Sequence, residues 1–288
     1  METRYPNPIS PTATRIGWIG IGLMGSAMAT RLLYAGYSLT VYARTPSKAL
    51  KLQSLGARLV DSPSQLAREC DVVFTMIGHP SDIIQAAIRS SHQSSEIYET
   101  VRFKDCWSVD APVSGGDIGA MNGTLAILAG GDEQVVQWLS PLFDLLGRAT
   151  YMGKAGCGQS CKIANQITVG GNLLGLSEGL LFAKKAGGLD LVQWMESVKE
   201  GAAGSMVMEL FGRRMVSRDF EAGGFAEYMV KDLGMASGGG DEEGGDAVVL
   251  PGAALCKALF SGMVANGDGK LGTQGLVSVL EKLNGSQI

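Results

Sequence analysis

What the chain lacks narrows its function first. No apolar run reaches the roughly 18 residues that a membrane-spanning helix needs. The opening stretch METRYPNPISPTATR has neither an apolar signal core nor an Arg-rich amphipathic pattern, and it reads as a short extended tail. No block of basic residues stands out, and 24 Lys+Arg against 28 Asp+Glu leave a net charge of -4, which argues against nucleic acid and anionic membranes as partners. The five cysteines, Cys70, Cys106, Cys157, Cys161 and Cys256, are odd in number and scattered, so they do not form a secreted disulfide framework. A reducing compartment follows, read as the cytosol, with the mitochondrion as the alternative although no transit pattern is evident. The expected partner is a small molecule.

What is present is an ordinary globular composition, 45% hydrophobic and 18% charged, enough for one large or two modest domains. The first half alternates strands and helices. In RIGWIGIGLMGSAMATRLLYAGYSLTVYART a short strand from Ile16 to Ile19 runs into Gly20, Ile21, Gly22, Leu23, Met24 and Gly25, a GxGxxG turn. A helix follows with Met28, Leu32 and Leu33 on its apolar face, Gly36 ends it, and SLTVY is the next strand. In that context Gly20 permits a sharp turn, Gly22 lets the backbone approach a pyrophosphate, and Gly25 lets the helix pack on the sheet. The phosphates would meet the free N–H groups at the helix start.

The residue after the second strand decides between the two nicotinamide dinucleotides. An NAD site usually has an acid there for the ribose hydroxyl, whereas this chain has Ala43, Arg44 and Thr45, which favours NADP(H) through a guanidinium and a hydroxyl on the 2′-phosphate. The competing reading of Arg44 is a solvated surface charge. Next come a helix capped near Ser62 and a buried strand from Asp71 to Ile77, whose end, Met76 and Ile77, would face the cofactor. From Ser90 to Lys104 the chain is polar with no clear strand, and the next strand is expected within CWSVDAPVSGG.

Beyond Tyr151 strand-like runs largely stop. One long helix is expected from Ser160 to Lys185, with Ile163, Ile167, Leu174 and Leu181 as its apolar residues and with Gly170, Gly171 and Gly175 marking close contact with another helix or subunit. The boundary is set at 1–150 for a dinucleotide-binding domain and 151–288 for a helical substrate and dimerisation domain. Lys162, Asn165 and Gln166 lie at i, i+3 and i+4 near the helix start and share one face. Ser114, Gly115 and Gly116 end a strand with N–H groups and a hydroxyl that can form an anion-binding nest, though a plain Gly-Gly turn has the same look. NGDGKLG is no calcium loop, because with Gly269 as the turn glycine the first and last ligand positions fall on Val264 and Gly275. No metal site is expected. SGGGDEEGGD, 237–246, reads as a mobile solvated loop, and CxxxC at Cys157 and Cys161 lacks the spacing of a redox pair.

Four segments together resemble the β-hydroxyacid dehydrogenases: GWIGIGLMGSAMA, DAPVSGGDIGAMNGTLAILAGG, GCGQSCKIANQ and GFAEYMVKDLGMA, in order along nearly the whole chain. The fine detail looks most like the plant 3-hydroxyisobutyrate dehydrogenase-like and glyoxylate/succinic semialdehyde reductase group. The resemblance implies an α/β fold, an N-terminal Rossmann domain followed by an all-helical domain, and hydride transfer between NAD(P) and a small β-hydroxyacid or its semialdehyde. It implies that Lys162 is the proton donor and acceptor, that Ser114, Gly115, Gly116, Asn165 and Gln166 bind a carboxylate-bearing substrate, and that Phe225 lines the pocket. Lys231 would reach the cofactor near the nicotinamide with Asp232 as its partner, and the chain would assemble as a homo-oligomer. 6-Phosphogluconate dehydrogenase shares these motifs but needs a far longer helical domain. One departure stands out: about twenty residues that would form a further strand before DAPVSGG are missing, judged against usual βαβ lengths. That puts Ser90 and Ser91 in doubt as pocket residues and makes a catalytically impaired cofactor-binding homologue the alternative reading.

Overall fold

The computed structural model describes residues 7–78, 91–102, 106–237 and 248–288; Ser90 and the glycine- and acid-rich stretch after Ser237 lie outside them. The chain divides into two compact units, Met1–Lys162 and Ile163–Ile288. The first opens with β1 (Arg15–Ile19), α1 (Leu23–Tyr34) and β2 (Ser38–Tyr42). This is the expected βαβ unit, with Met28 and Leu32 buried, Leu33 partly so, and Gly36 at φ +87° after the helix. Positive φ is where glycine is at ease and other residues are strained. After α2 (Leu50–Ser54) come β3 (Arg58–Val60), α3 (Pro63–Glu69) and β4 (Val72–Thr75). The Ser62 hydroxyl caps α3 by accepting the Gln65 N–H at 3.1 Å, as expected. The four strands form a parallel sheet in the order β3-β2-β1-β4.

Two expectations need correction here. The strand from Asp71 to Ile77 is shorter and not buried: β4 alternates half-buried and exposed residues, with Val73 40% exposed. Among the described residues it pairs with β1 alone, and the face carrying Val73 and Thr75 is left to solvent. The tail is only partly extended. Ile9 is buried in the core, and Ser10 to Thr14 form a turn in which Thr14 N–H donates to the Ser10 carbonyl at 2.9 Å, because an apolar side chain near the end of a tail gains by packing.

The polar stretch from Ser91 is a helix, α4 (Ser91–Arg102). Within CWSVDAPVSGG only β5 (Val113–Ser114) is a strand, preceded by a bridge between Asp110 and Gly130; Pro112 has no N–H to extend the ladder. Then follow α5 (Gly116–Asn122), β6 (Leu125–Gly130), α6 (Glu133–Trp138), α7 (Ser140–Leu146) and β7 (Gly147–Gly153). β5 pairs antiparallel with β6, and β6 parallel with β7, in a second sheet. Among the described residues no strand lies between β4 and β5, and the Rossmann-type sheet is in two parts. One core serves both, joining Ile16, Trp18 and Val41 to Leu125, Ile127 and Leu142. Arg31 of α1 fastens it by donating from Nε to the Leu145 carbonyl at 2.5 Å and from Nη1 to the Met121 carbonyl at 3.0 Å. Those carbonyls belong to the last turns of α7 and α5, where no helical N–H remains to satisfy them.

The second unit is helical. α8 (Cys157–Lys185) begins three residues earlier than expected, and α9 (Leu191–Val198), α10 (Met206–Val216), α11 (Ala226–Ser237), α12 (Pro251–Ala265) and α13 (Leu276–Asn284) follow. The core face of α8 is Leu173, Leu176, Leu180 and Ala183; Leu181 is also buried, but Ile163, Ile167 and Leu174 are only half-buried. Apolar and polar residues are spread around α8 without one dominant stripe, so the apolar residues alone do not mark the core face. Gly170 is buried facing Cys256 of α12 and Met229 of α11, but a Cβ there would meet them only at ordinary contact distances of 3.5 and 3.6 Å, and Gly171 and Gly175 open onto space. All five cysteines are free thiols. The NGDGKLG loop serves the start of α11: the Ala226 N–H donates to the Leu271 carbonyl at 2.9 Å and the Glu227 N–H to the Gly269 carbonyl at 3.0 Å.

Candidate active site

The glycine turn has the geometry each residue was expected to supply. Gly20 has φ +93°, and a Cβ there would lie 2.2 Å from the Met76 carbonyl oxygen. Met76 N–H in turn donates to the Ile19 carbonyl at 2.8 Å, so the end of β4 sits against the turn. A Cβ on Gly25 would lie 1.9 Å from the Gly20 carbonyl oxygen, so only glycine lets α1 start this close to β1. Gly22 is different: nothing lies within 4 Å of where its Cβ would be. It is the N-cap of α1, with no side-chain cap and no acid in the first turn. Uncapped N–H groups behind an open approach suit an anionic ligand. Ile21, Leu23 and Met24 complete the turn, with Leu23 57% exposed. Ile77 is half-buried just after Met76.

At the end of β2, Arg44 and Thr45 are exposed, and Thr45 is the N-cap of a short 3-10 turn from Pro46 to Ala49. That turn adds Lys48, also exposed, a second cation that inspection of Arg44 alone missed. In the second sheet Ser114 ends β5 half-buried, and Gly115 and Gly116 are exposed at φ +127° and φ +62°. Consecutive positive φ values need glycine and leave the amide edge of the turn accessible.

The residue most clearly missed is Asp110. Its carboxylate accepts the Gly156 N–H at 2.8 Å and the Gln159 N–H at 2.9 Å, at the start of α8. Burial pushes this carboxyl above the usual carboxylate range, against the backbone N–H groups of Gly156, Gln159 and Gly158 that hold it down. The glycines around it make the approach possible. A Cβ on Gly130 would lie 2.8 Å from Oδ1, and one on Gly158 2.8 Å from Oδ2. Lys162, half-buried, is one turn past Gln159 on the same helix.

In the second unit the predicted residues form one hydrogen-bonded chain. Asn165 Nδ2 donates to Gln166 Oε1 at 3.0 Å, and Gln166 Nε2 donates to Asp232 Oδ2 at 2.9 Å. Asp232, 7% exposed, pairs through Oδ1 with Lys231 Nζ at 3.0 Å, and that ammonium stands 5.6 Å from the centre of the Tyr228 ring. Tyr228 meets Phe225 edge-on at 5.5 Å, and Lys270 stands 5.1 Å from the centre of the Phe225 ring. Asn165, Gln166, Lys231, Asp232 and Phe225 are thus brought together. Ser91 starts a helix instead of ending a strand, and Ser90 lies outside the described residues.

Comparison with known proteins bears on the family. Residues 15–154 match the NAD binding domain of 6-phosphogluconate dehydrogenase, and residues 156–280 match the NAD-binding domain of NADP-dependent 3-hydroxyisobutyrate dehydrogenase. A probable 3-hydroxyisobutyrate dehydrogenase-like protein 3, mitochondrial, of Arabidopsis thaliana is 54% identical over 305 positions, covering 99% of this chain and 93% of the relative. That alignment is longer than the 288 residues of the chain, so the relative carries residues with no counterpart here. The 2-hydroxy-3-oxopropionate reductase of Escherichia coli is 38% identical over 288 positions, covering 93% of this chain and 97% of the reductase. Among solved structures, Psf3 in complex with NADP+ and 2-OPP has a TM-score of 0.82 at 22% identity, covering 92% of this chain and 99% of Psf3.

Proposed function

Since this chain belongs to the β-hydroxyacid dehydrogenase family and is an NAD(P)-binding oxidoreductase, we propose that it interconverts a small β-hydroxyacid and its aldehyde or semialdehyde, with NADP(H) preferred. The observation that carries this is the glycine turn, shaped by Gly20 and Gly25, open at Gly22 and backed by the uncapped start of α1. The residues fit a dinucleotide, which when bound supplies or accepts the hydride. Gly20 to Gly25 would hold its pyrophosphate, with Met76 and Ile77 beside the turn. Arg44, Thr45 and Lys48 favour a 2′-phosphate, since a cationic exposed loop attracts what a carboxylate would repel. Ser114, Gly115 and Gly116 anchor the substrate carboxylate. Lys162 takes the hydroxyl proton in oxidation and returns it in reduction, while Asn165 and Gln166 orient the substrate. Asp232 holds Gln166 and Lys231 in place, and Phe225 gives the pocket an apolar wall.

The test is NADPH consumption with glyoxylate, succinic semialdehyde and methylmalonate semialdehyde. Lys162→Ala is expected to lower turnover at least about 100-fold while leaving NADPH affinity intact, in keeping with the weight of general acid-base catalysis. Turnover that survives the substitution sinks the assigned role. The second reading, a cofactor-binding homologue with impaired catalysis, is favoured by the exposed face of β4 and the divided sheet. NADPH fluorescence titration separates the two, since tight binding without turnover on any of the three substrates supports the impaired form. Homo-oligomerisation is part of the proposal, readable by light scattering. The word mitochondrial in the Arabidopsis relatives' names supports that compartment over the cytosol.

A further inference from the structure

We propose that Asp110 is a positioning residue that sets Lys162 against the substrate anchor. The inference rests on the reading of Lys162 and of Ser114 to Gly116 given above. Asp110 faces two ways. Its backbone is locked to β6, donating to the Gly130 carbonyl at 3.0 Å and accepting the Gly130 N–H at 2.8 Å. From that fixed point the chain runs Ala111, Pro112, Val113 directly into Ser114, Gly115 and Gly116, so the place of Asp110 sets the place of the anchor. Leu128 N–H donates to the Pro112 carbonyl at 2.9 Å and keeps the connecting stretch in register.

Its side chain does the same for α8. The two carboxylate oxygens take separate amides, Gly156 on Oδ1 and Gln159 on Oδ2, so both the depth and the rotation of the helix start are specified. The first four N–H groups of any helix lack intrahelical partners, and an acid supplied from elsewhere in the fold satisfies two of them while complementing the positive end of the helix dipole. Lys162 follows Gln159 by three residues, less than one turn of rigid helix, so any shift at the pinned amides carries to it undiminished. Gly130 and Gly158 leave no room for a Cβ beside the carboxylate. The close approach is built from both sides. A serine or threonine cap from the preceding loop would satisfy one of the amides. It would not tie them to the segment that ends in the anchor.

The experiment compares Asp110→Asn, Asp110→Ala, Lys162→Ala and the double variant Asp110→Ala/Lys162→Ala in the full chain, with NADPH and the semialdehyde that turns over fastest. Asp110→Asn keeps the shape and one acceptor oxygen. It is expected to lower kcat about tenfold, and Asp110→Ala about 100-fold, the scale that a displacement of about 1 Å produces. The KM for NADPH should stay within about twofold, since the hydrogen bonds of Asp110 go to Gly130, Gly156 and Gln159 and not to the cofactor turn. The decisive outcome is the cycle. If Asp110 acts through Lys162, the double variant is no slower than Lys162→Ala alone. Multiplying defects, or a kcat unchanged in both Asp110 variants, overturns the inference. Survival of turnover in Lys162→Ala instead overturns the proposed role of the lysine, so the two failures are distinguishable. Hydrogen exchange covers an Asp110→Ala that does not fold and a wild type without turnover. Faster exchange at Gly156, Gly158 and Gln159 in Asp110→Asn supports the anchoring, and unchanged exchange there rejects it.

Discussion

β1 and β4 are neighbours in one sheet, paired residue for residue from Ile16 with Val72 to Ile19 with Thr75, yet they live in different surroundings. β1 has partners on both edges, and Ile16 and Trp18 are fully buried. β4 has one partner among the described residues, and Val73 is 40% exposed. The difference shows which strands of this Rossmann unit are covered among the described residues. The part that forms the glycine turn is supported on both sides, and support thins out toward β4, which among the described residues pairs with β1 alone.

Trp18→Ala and Val73→Ala test that contrast with the largest expected effect. Trp18 stacks on Phe74 with ring centres 5.0 Å apart, and its Nε1 donates to the Gly20 carbonyl at 3.2 Å, so truncation removes both packing and a tie to the turn. A loss of about 3–5 kcal/mol is expected for Trp18→Ala and under about 1 kcal/mol for Val73→Ala, read by urea unfolding. Equal losses would mean that β4 is as well supported as β1. Sharpening the same contrast, Gly25→Ala forces a methyl group onto the Gly20 carbonyl, while Gly22→Ala meets nothing. The first should cost about 1–3 kcal/mol of stability. The second should leave the unfolding midpoint in place and weaken NADPH binding about tenfold or more, about 1.4 kcal/mol, by intruding on the phosphate approach. A Gly22→Ala variant with native NADPH affinity would remove Gly22 from the cofactor site.

The contrast between the strands also explains what could be read from sequence. The first βαβ unit was legible because each of its signals is local: SLTVY is β-branched and apolar, GxGxxG lies between strand and helix, and the observed β2 has the expected bounds. The burial of β4 was not legible, since VVF reads the same whether the strand is covered or not, and only its neighbours decide. The helix from Ser91 to Arg102 has few apolar residues to mark its period. Asp110 escaped for a further reason. Its role is made by contacts 46 and 49 residues along the chain, and a lone acid before Ala-Pro carries no local pattern. The shared face of Asn165 and Gln166 was legible from their spacing, but their link to Lys231 and Asp232 was not, because nothing in the sequence foretells a hydrogen bond across 66 residues.

The smallest effect separates two aspartates that each tie one end of this unit together. Asp71, at the start of β4, accepts from Arg15 at the start of β1, through Nη2 at 2.6 Å and the backbone N–H at 2.8 Å, and the guanidinium holds its carboxyl below the usual range. Asp110 goes the other way, because burial outweighs its amide donors. Linkage then gives opposite signs. The stability that Asp71 contributes is present above the ordinary carboxylate range and is lost as pH falls through its depressed pKa. The share linked to Asp110 is greatest below that range and is lost as pH rises through its raised pKa. Thermal melts of the wild type, Asp71→Asn and Asp110→Asn between about pH 3 and about pH 7 should therefore show differences from wild type that change with pH in opposite directions, by about 1–2 °C for the exposed Asp71 pair. A difference that moves the same way for both variants would mean that the Asp110 carboxylate is better compensated by Gly156 and Gln159 than its burial implies. The helix start would then be held more tightly at neutral pH, with Lys162 following it.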